Sequence, residues 1–166
     1  MLLRDFFASD QPRLPWKRVV LAGAGVAISV ALLGLLGGGL DLLTLFVGFA
    51  PTCLLVFTLP EAPVSQPSAV IGGQLTASAV GVVIGFLLPV TWWSIALTAG
   101  MAVVAMALLR VLHPPAVANA VIASMSGAGW MFLLTPALTA SVLIVVVAVV
   151  WHRVMRTRYP QITRLR

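Results

Sequence analysis

From Val19 to Trp151 the chain is a series of apolar runs separated by turn residues, and the formal charges in that stretch are Asp41, Glu61 and Arg110 alone. The pattern does not alternate apolar and polar positions as half-buried strands do. It is too long and continuous for the one-sided stripe of a soluble helix. Residues 19–39 make a first span of about the 20 residues that a hydrocarbon core demands. Its glycines and alanines permit close helix approach, and Gly37-Gly38-Gly39 ends it. Residues 40–59 are apolar again, but Gly48 and Pro51 fall mid-run, and a mid-span proline removes a backbone hydrogen bond. The expectation there is a break near Gly48–Pro51 and a short helix onward to Thr58. Three prolines between Pro60 and Pro67 then forbid a continuous helix and predict an elbow.

Residues 68–88 read as the next span, rich in small residues at helical spacing. Pro89 and Thr91 turn the chain, Trp92 and Trp93 suit a membrane interface, and residues 94–109 make another span. Residues 115–126 are apolar yet reach only about 18 Å as a helix, against a core of about 30 Å. The final span is 130–151, with a kink expected at Pro136. The predicted fold is an all-α membrane bundle of four long helices and two short or broken elements, arranged as a 3+3 inverted repeat with halves 17–88 and 92–151. The preferred topology has six crossings. The alternative makes both short elements re-entrant, leaving four and carrying Glu61 and Arg110 to the opposite face.

Composition removes any soluble reading. Hydrophobic residues are 61 % and charged residues 8 % of 166, with a mean hydropathy of +1.11, so there is too little polar surface to cover a water-facing globule. The net charge of +6 sits at the two ends. It divides the chain into a basic arm (1–18), a transmembrane domain (19–151) and a basic tail (152–166). That asymmetry predicts both termini on the cytoplasmic side, in a bacterial inner membrane, touching anionic lipid. No basic stripe interleaved with aromatics exists to follow nucleic acid. One cysteine, Cys53, leaves no disulfide and no multi-cysteine metal site. Asp41 and Glu61 are too isolated for an acid–base pair, and His113 and His152 have no metal-ligand spacing, so neither an enzyme, a cofactor nor a metal is expected.

The candidate chemistry is the polar matter inside the apolar runs, where a polar group is functional unless paired. Arg110, His113, Pro114, Pro115 and Asn119 cluster in one short stretch; Pro51 and Thr52 lie at the other interruption; Gln66 and Gln74 flank the third span. A helix that starts inside the membrane points unpaired N–H groups and its positive dipole end at the core, which suits a small anion. Thr52, His113 and Asn119 add side-chain donors. Against this, Arg110 also suits a topology anchor, and the two glutamines suit pairing with buried backbone. Small-residue faces on 19–39 and 68–88 predict a homo-oligomer.

His113-Pro114-Pro115-Ala116, preceded in order by Leu59-Pro60, Pro63, Gln66-Pro67 and Ile71-Gly72-Gly73, resembles the HPP family of small integral membrane proteins over most of the chain. The resemblance implies about four spanning helices and, from its plastid and cyanobacterial members, nitrite transport. It makes Pro67, Gly72 and Gly73 part of a structural motif. The chain departs from the family pattern at Ser68, where a basic residue is common, at Gln74, where histidine is common, and at Val117, where glycine is common. The function expected is a transporter or channel for a small, nitrite-like anion. The alternative is a membrane scaffold or signalling subunit in which the motif only shapes the fold.

Overall fold

The computed structural model describes residues 15–37 and 42–161, and what it describes is helical. Six helices follow one another: α1 Trp16–Leu36, α2 Leu42–Thr58, α3 Pro67–Leu87, α4 Trp92–Leu108, α5 Ala116–Met125 and α6 Thr139–Val154. A 3-10 turn, Pro63–Ser65, bridges α2 and α3. A widened helical segment, Leu133–Leu138, leads into α6. Asp41, the Gly38-Gly39 turn, most of the basic arm and the last five residues lie outside the described residues.

Local chemistry sets most of the boundaries. Pro67 opens α3 at the first helical position, where its missing N–H costs nothing. Thr91 caps α4, two residues earlier than expected, with reciprocal bonds to Ser94. That capping box carries serine rather than glutamate at its third position, so its sequence signal was weak. α4 closes with Arg110 in the left-handed region, φ 57, while the Val111 N–H reaches back to the Met106 carbonyl at 2.9 Å. The kink expected at Pro136 is present: Thr135 is extended (φ −138, ψ 112) inside the widened segment.

Two expectations are corrected. α2 runs unbroken through Pro51. The Pro51 ring is exposed on the outer side of the helix, so its cost is a missing bond to the preceding turn rather than a break. α5, with 10 residues, is therefore the sole strongly shortened element among the described helices, and no pair of interrupted helices supports the 3+3 inverted repeat. Among the described residues, α1, α3 and the 22-residue run Leu133–Val154 have the length and apolarity to cross a membrane, and α4 is shorter at 17 residues.

The packing centres on α3. Its glycines form a groove in which the backbone of the 111–124 segment lies. A Cβ on Gly72 would meet Val111 Cγ1 at 2.8 Å, one on Gly73 would meet His113 Cβ at 2.6 Å, one on Gly81 would collide with the Ala120 carbonyl, and one on Gly85 would sit 3.1 Å from Ser124 Cα. The matched order of these contacts makes α3 and α5 parallel. Around this pair lie two apolar clusters. Leu33, Phe49, Val56, Val70 and Ile144 belong to the first, and Ala77, Ala102, Met106 and Ala120 to the second.

Successive helices alternate direction, and this collects charge at one end. Arg18, Glu61, Arg156 and Arg158 line a single cleft. The segment after Arg110 is bonded to the 60–66 elbow beside that cleft through His113 and Val64. The opposite end carries the Phe86–Trp130 contact, centroids 6.4 Å apart, and the exposed Trp92.

Two predictions follow from this packing. Gly81→Ala should destabilise the purified protein by about 1–3 kcal/mol through overpacking. Gly100→Ala, with nothing within 4 Å of the new methyl, should be neutral or stabilise by up to about 1 kcal/mol. Thermal unfolding in detergent separates the two, and equal effects would contradict the glycine groove. In a Cys53→Ala background, single cysteines at 61 and 110 should react with an impermeant reagent from the same membrane face as one at 158. Reaction of either from the other face would contradict the alternating bundle.

Candidate functional site

Four of the sequence-predicted residues meet at mid-bundle. Thr52 projects from the middle of α2, Gln74 from the second turn of α3, Asn119 from the first turn of α5, and His113 from the turn before it; all four are fully buried. The Asn119 amide Nδ2 donates to Gln74 Oε1 at 2.6 Å. Gln74 Nε2 donates to Thr52 Oγ1 at 3.0 Å. Thr52 Oγ1 lies 2.9 Å from His113 Nε2, and His113 Nδ1 lies 2.7 Å from the Val64 carbonyl.

The protons of this chain can be assigned from its ends. A carbonyl only accepts, so His113 Nδ1 carries a hydrogen and donates to Val64. Thr52 Oγ1 already accepts from Gln74, which leaves its hydroxyl hydrogen to donate to His113 Nε2. The imidazole is then neutral, and every bond runs in one direction: Asn119 to Gln74 to Thr52 to His113 to Val64. One group is left over. Asn119 Oδ1 is buried without a hydrogen-bond partner and rests against Gly48, where any Cβ would collide with it.

The other predicted residues lie elsewhere. Gln66 is consumed by backbone: its Nε2 donates to the Pro60 and Ala62 carbonyls at 2.9 and 3.1 Å, and its Oε1 accepts from the Gln161 N–H at 2.7 Å. Arg110 is exposed at the end of α4, and Pro51 is exposed on the far side of α2 from the chain. Pro114 is exposed while Pro115 is buried at the start of α5. Pro67 opens α3 at the elbow, and Gly72 and Gly73 lie under Val111 and His113.

The expected unpaired N–H groups at two half-helix starts are absent from the described residues. α2 has no start at Pro51. At α5 the first N–H groups are taken by the turn itself: Ala116 bonds the His113 carbonyl at 3.0 Å, Val117 that of Pro114 at 3.2 Å, and Ala118 that of Pro115 at 3.2 Å. The donors at this site are therefore side chains rather than a helix terminus.

Sequence reasoning missed the carbonyl of Val64, the bare Gly48 and the C-terminal strap. Gly48 stands one turn before Thr52, and that spacing was the available signal. The strap follows α6 and folds over the elbow, with the Tyr159 hydroxyl donating to the Ser65 carbonyl at 3.0 Å. Burial pushes the Tyr159 phenol up from its ordinary value, which keeps it a donor at neutral pH.

Two transmembrane proteins of Dictyostelium discoideum match 68 % of the chain, at 29 % and 30 % identity over 121 residues. The matched stretch covers 39 % and 42 % of those proteins, so the chain corresponds to about two fifths of their length. No solved structure matches the chain. The model of the HPP transmembrane region matches residues 11–160, the whole helical bundle and its elbow included, and the chain belongs to that family.

Proposed function

We propose that this membrane protein carries a small inorganic anion, nitrite or a close analogue, through the bundle, with His113, Thr52, Gln74 and Asn119 as the binding groups. The observation that carries the reading is the one-directional hydrogen-bond chain of four fully buried polar side chains, drawn from α2, α3, α5 and the turn before α5. Such groups are costly in a membrane and are retained where they serve a path. No enzyme chemistry is proposed: the hydroxyl that His113 faces, Thr52 Oγ1, is fully buried and already accepts from Gln74. Both termini face the cytoplasm in this reading, because charged residues collect at the end where α1 begins and α6 finishes. Copies associate through the exposed apolar residues of the later turns of α1, Ile28 and Leu35.

The chain gives the anion a means of capture. Adding a proton to His113 Nε2 turns that atom from acceptor to donor, and the chain reverses when the Gln74 and Asn119 side-chain amides turn over, exchanging the places of their oxygens and nitrogens. Nε2 donates to Thr52, Thr52 donates to Gln74 Oε1, and Gln74 Nε2 donates to Asn119 Oδ1. The reversal pairs the orphaned oxygen, frees the Asn119 amide N–H group beside Gly48 and places a positive charge at His113. A site with an orphan acceptor becomes one with a free donor and a cation, which attracts an anion. The groups packed around the ring from each element are uncharged: Val64 on the elbow, Thr52 on α2, and Gly73 and Gln74 on α3. The proton and the anion therefore neutralise each other.

A second reading, the non-transporting scaffold, is favoured by one observation: in the neutral state the donors of the chain are all engaged and the first N–H groups of α5 are closed. Flux in liposomes separates the two. At matched protein levels, nitrite uptake should be larger at acidic than at alkaline pH, falling as the imidazole loses its proton. His113→Ala should weaken anion binding by about 0.5–3 kcal/mol and abolish the pH dependence. His113→Gln, which keeps a donor but cannot charge, should retain part of the binding without the pH dependence. Flux unchanged in both His113→Ala and Asn119→Ala would assign the motif to the scaffold.

A further inference from the structure

Three arginines and one glutamate line a cleft of about 560 Å³ at the charged end of the bundle, between the start of α1, the elbow and the segment that follows α6. Arg18 enters from α1, Glu61 from the elbow, and Arg156 and Arg158 from the strap. None of them belongs to the mid-bundle chain. The cleft also has an apolar wall, with Leu21 of α1 on one side and Trp151 of α6 on the other.

Arg156 is held in an unusual place. Its φ is 53, the left-handed conformation that closes a helix and that glycine normally supplies. The closure is complete: Arg156 N–H bonds the Arg153 carbonyl at 3.2 Å, and Thr157 N–H bonds that of His152 at 2.8 Å. A glycine here would satisfy the backbone at least as well, so the backbone alone does not call for an arginine at 156.

The strap that carries Arg156 and Arg158 is fixed rather than loose. The Tyr159 hydroxyl is bonded to Ser65, and the Gln161 N–H to the Gln66 side chain. The Tyr159 ring packs against His152, centroids 5.1 Å apart, and His152 Nε2 donates to the Val56 carbonyl at 3.1 Å. Arg156 and Arg158 thereby join the lining of the cleft from a backbone pinned at several points, and Arg18 joins it from α1. Guanidinium forks match the geometry of phosphate oxygens.

The apolar wall narrows the choice of ligand. Beyond Trp151 the outer side of α6 exposes Val150 and Val154, and the outer side of α1 exposes Val19 and Val20. These are surfaces for hydrocarbon, so the cleft lies between a polar face and an acyl-chain face. We infer that the cleft bounded by Arg18, Arg156 and Arg158 binds the phosphate of an anionic lipid, with its acyl chains lying along α1 and α6. This inference does not depend on the transport reading, because the cleft shares no residue with the mid-bundle chain.

Native mass spectrometry of the purified full chain tests it, with phosphatidylglycerol, phosphatidylcholine and inorganic phosphate as probes. The wild type should retain phosphatidylglycerol in preference to phosphatidylcholine. R156G and R158Q should each need about tenfold more of it, the loss of roughly one charge-assisted contact. R156G keeps the backbone its site prefers, so its melting temperature should be unchanged or raised and lost retention is not lost folding. Arginine-dependent binding of inorganic phosphate without lipid retention would keep the phosphate chemistry and overturn the lipid as its source. Equal retention of both lipids with no phosphate binding, or retention indifferent to R156G and R158Q, would overturn the inference.

Discussion

The constraint on which the structure depends is that a polar group in a hydrocarbon-filled bundle has to find its partner inside the protein. Asn119, Gln74, Thr52, His113 and the Val64 carbonyl meet that constraint by bonding one another in series. The series crosses from α5 to α3 to α2 to the turn before α5 and ends on the elbow, so it ties together the elements that carry the two apolar clusters. Each such bond is worth about 0.5–1.5 kcal/mol net, while stranding one partner costs about 1–3 kcal/mol. The chain therefore fixes which arrangement of the helices is allowed more than it raises the stability of that arrangement.

The small residues of α3 make the series reachable. Gly73 lets His113 lie directly on the helix, and Gly81 lets the Ala120 carbonyl approach where a side chain would forbid it. Gly48 of α2 does the same for the Asn119 amide. These contacts draw α5 in beside α3 although α5 has only 10 residues. The 111–115 segment leads into α5 and continues its line of contact along the glycines of α3. Its polar backbone is tolerated because His113, Pro114 and Pro115 carbonyls take up the first N–H groups of α5.

Much of this was legible in the sequence, and the reasons it failed elsewhere are specific. Apolar run length and the turn residues between runs located all six helices, and Pro136 announced its kink. Proline at 51 misled, because whether a proline breaks a helix depends on which way its ring faces, and sequence does not record that. The clustering of Arg110, His113 and Asn119 within ten residues drew attention to the right turn. It did not separate an exposed helix-closing arginine from two buried hydrogen-bonding groups. Gln74 and Gln66, equal candidates by sequence, diverge because one lies opposite Thr52 and the other lies over the elbow. The strap was invisible: Tyr159 and Gln161 sit in a basic tail whose composition speaks only of charge.

The central claim is that His113 is neutral, protonated at Nδ1, and sets the direction of the whole series. Nitrogen-15 NMR of His113 in the purified protein, reconstituted in lipid at neutral pH, reads this directly. The predicted spectrum has a protonated Nδ1 and an unprotonated Nε2 shifted by its bond from Thr52, and the Nε2 resonance returns toward its unbonded position in Thr52→Val. A proton on Nε2 instead of Nδ1, or an imidazolium at neutral pH, would contradict the account.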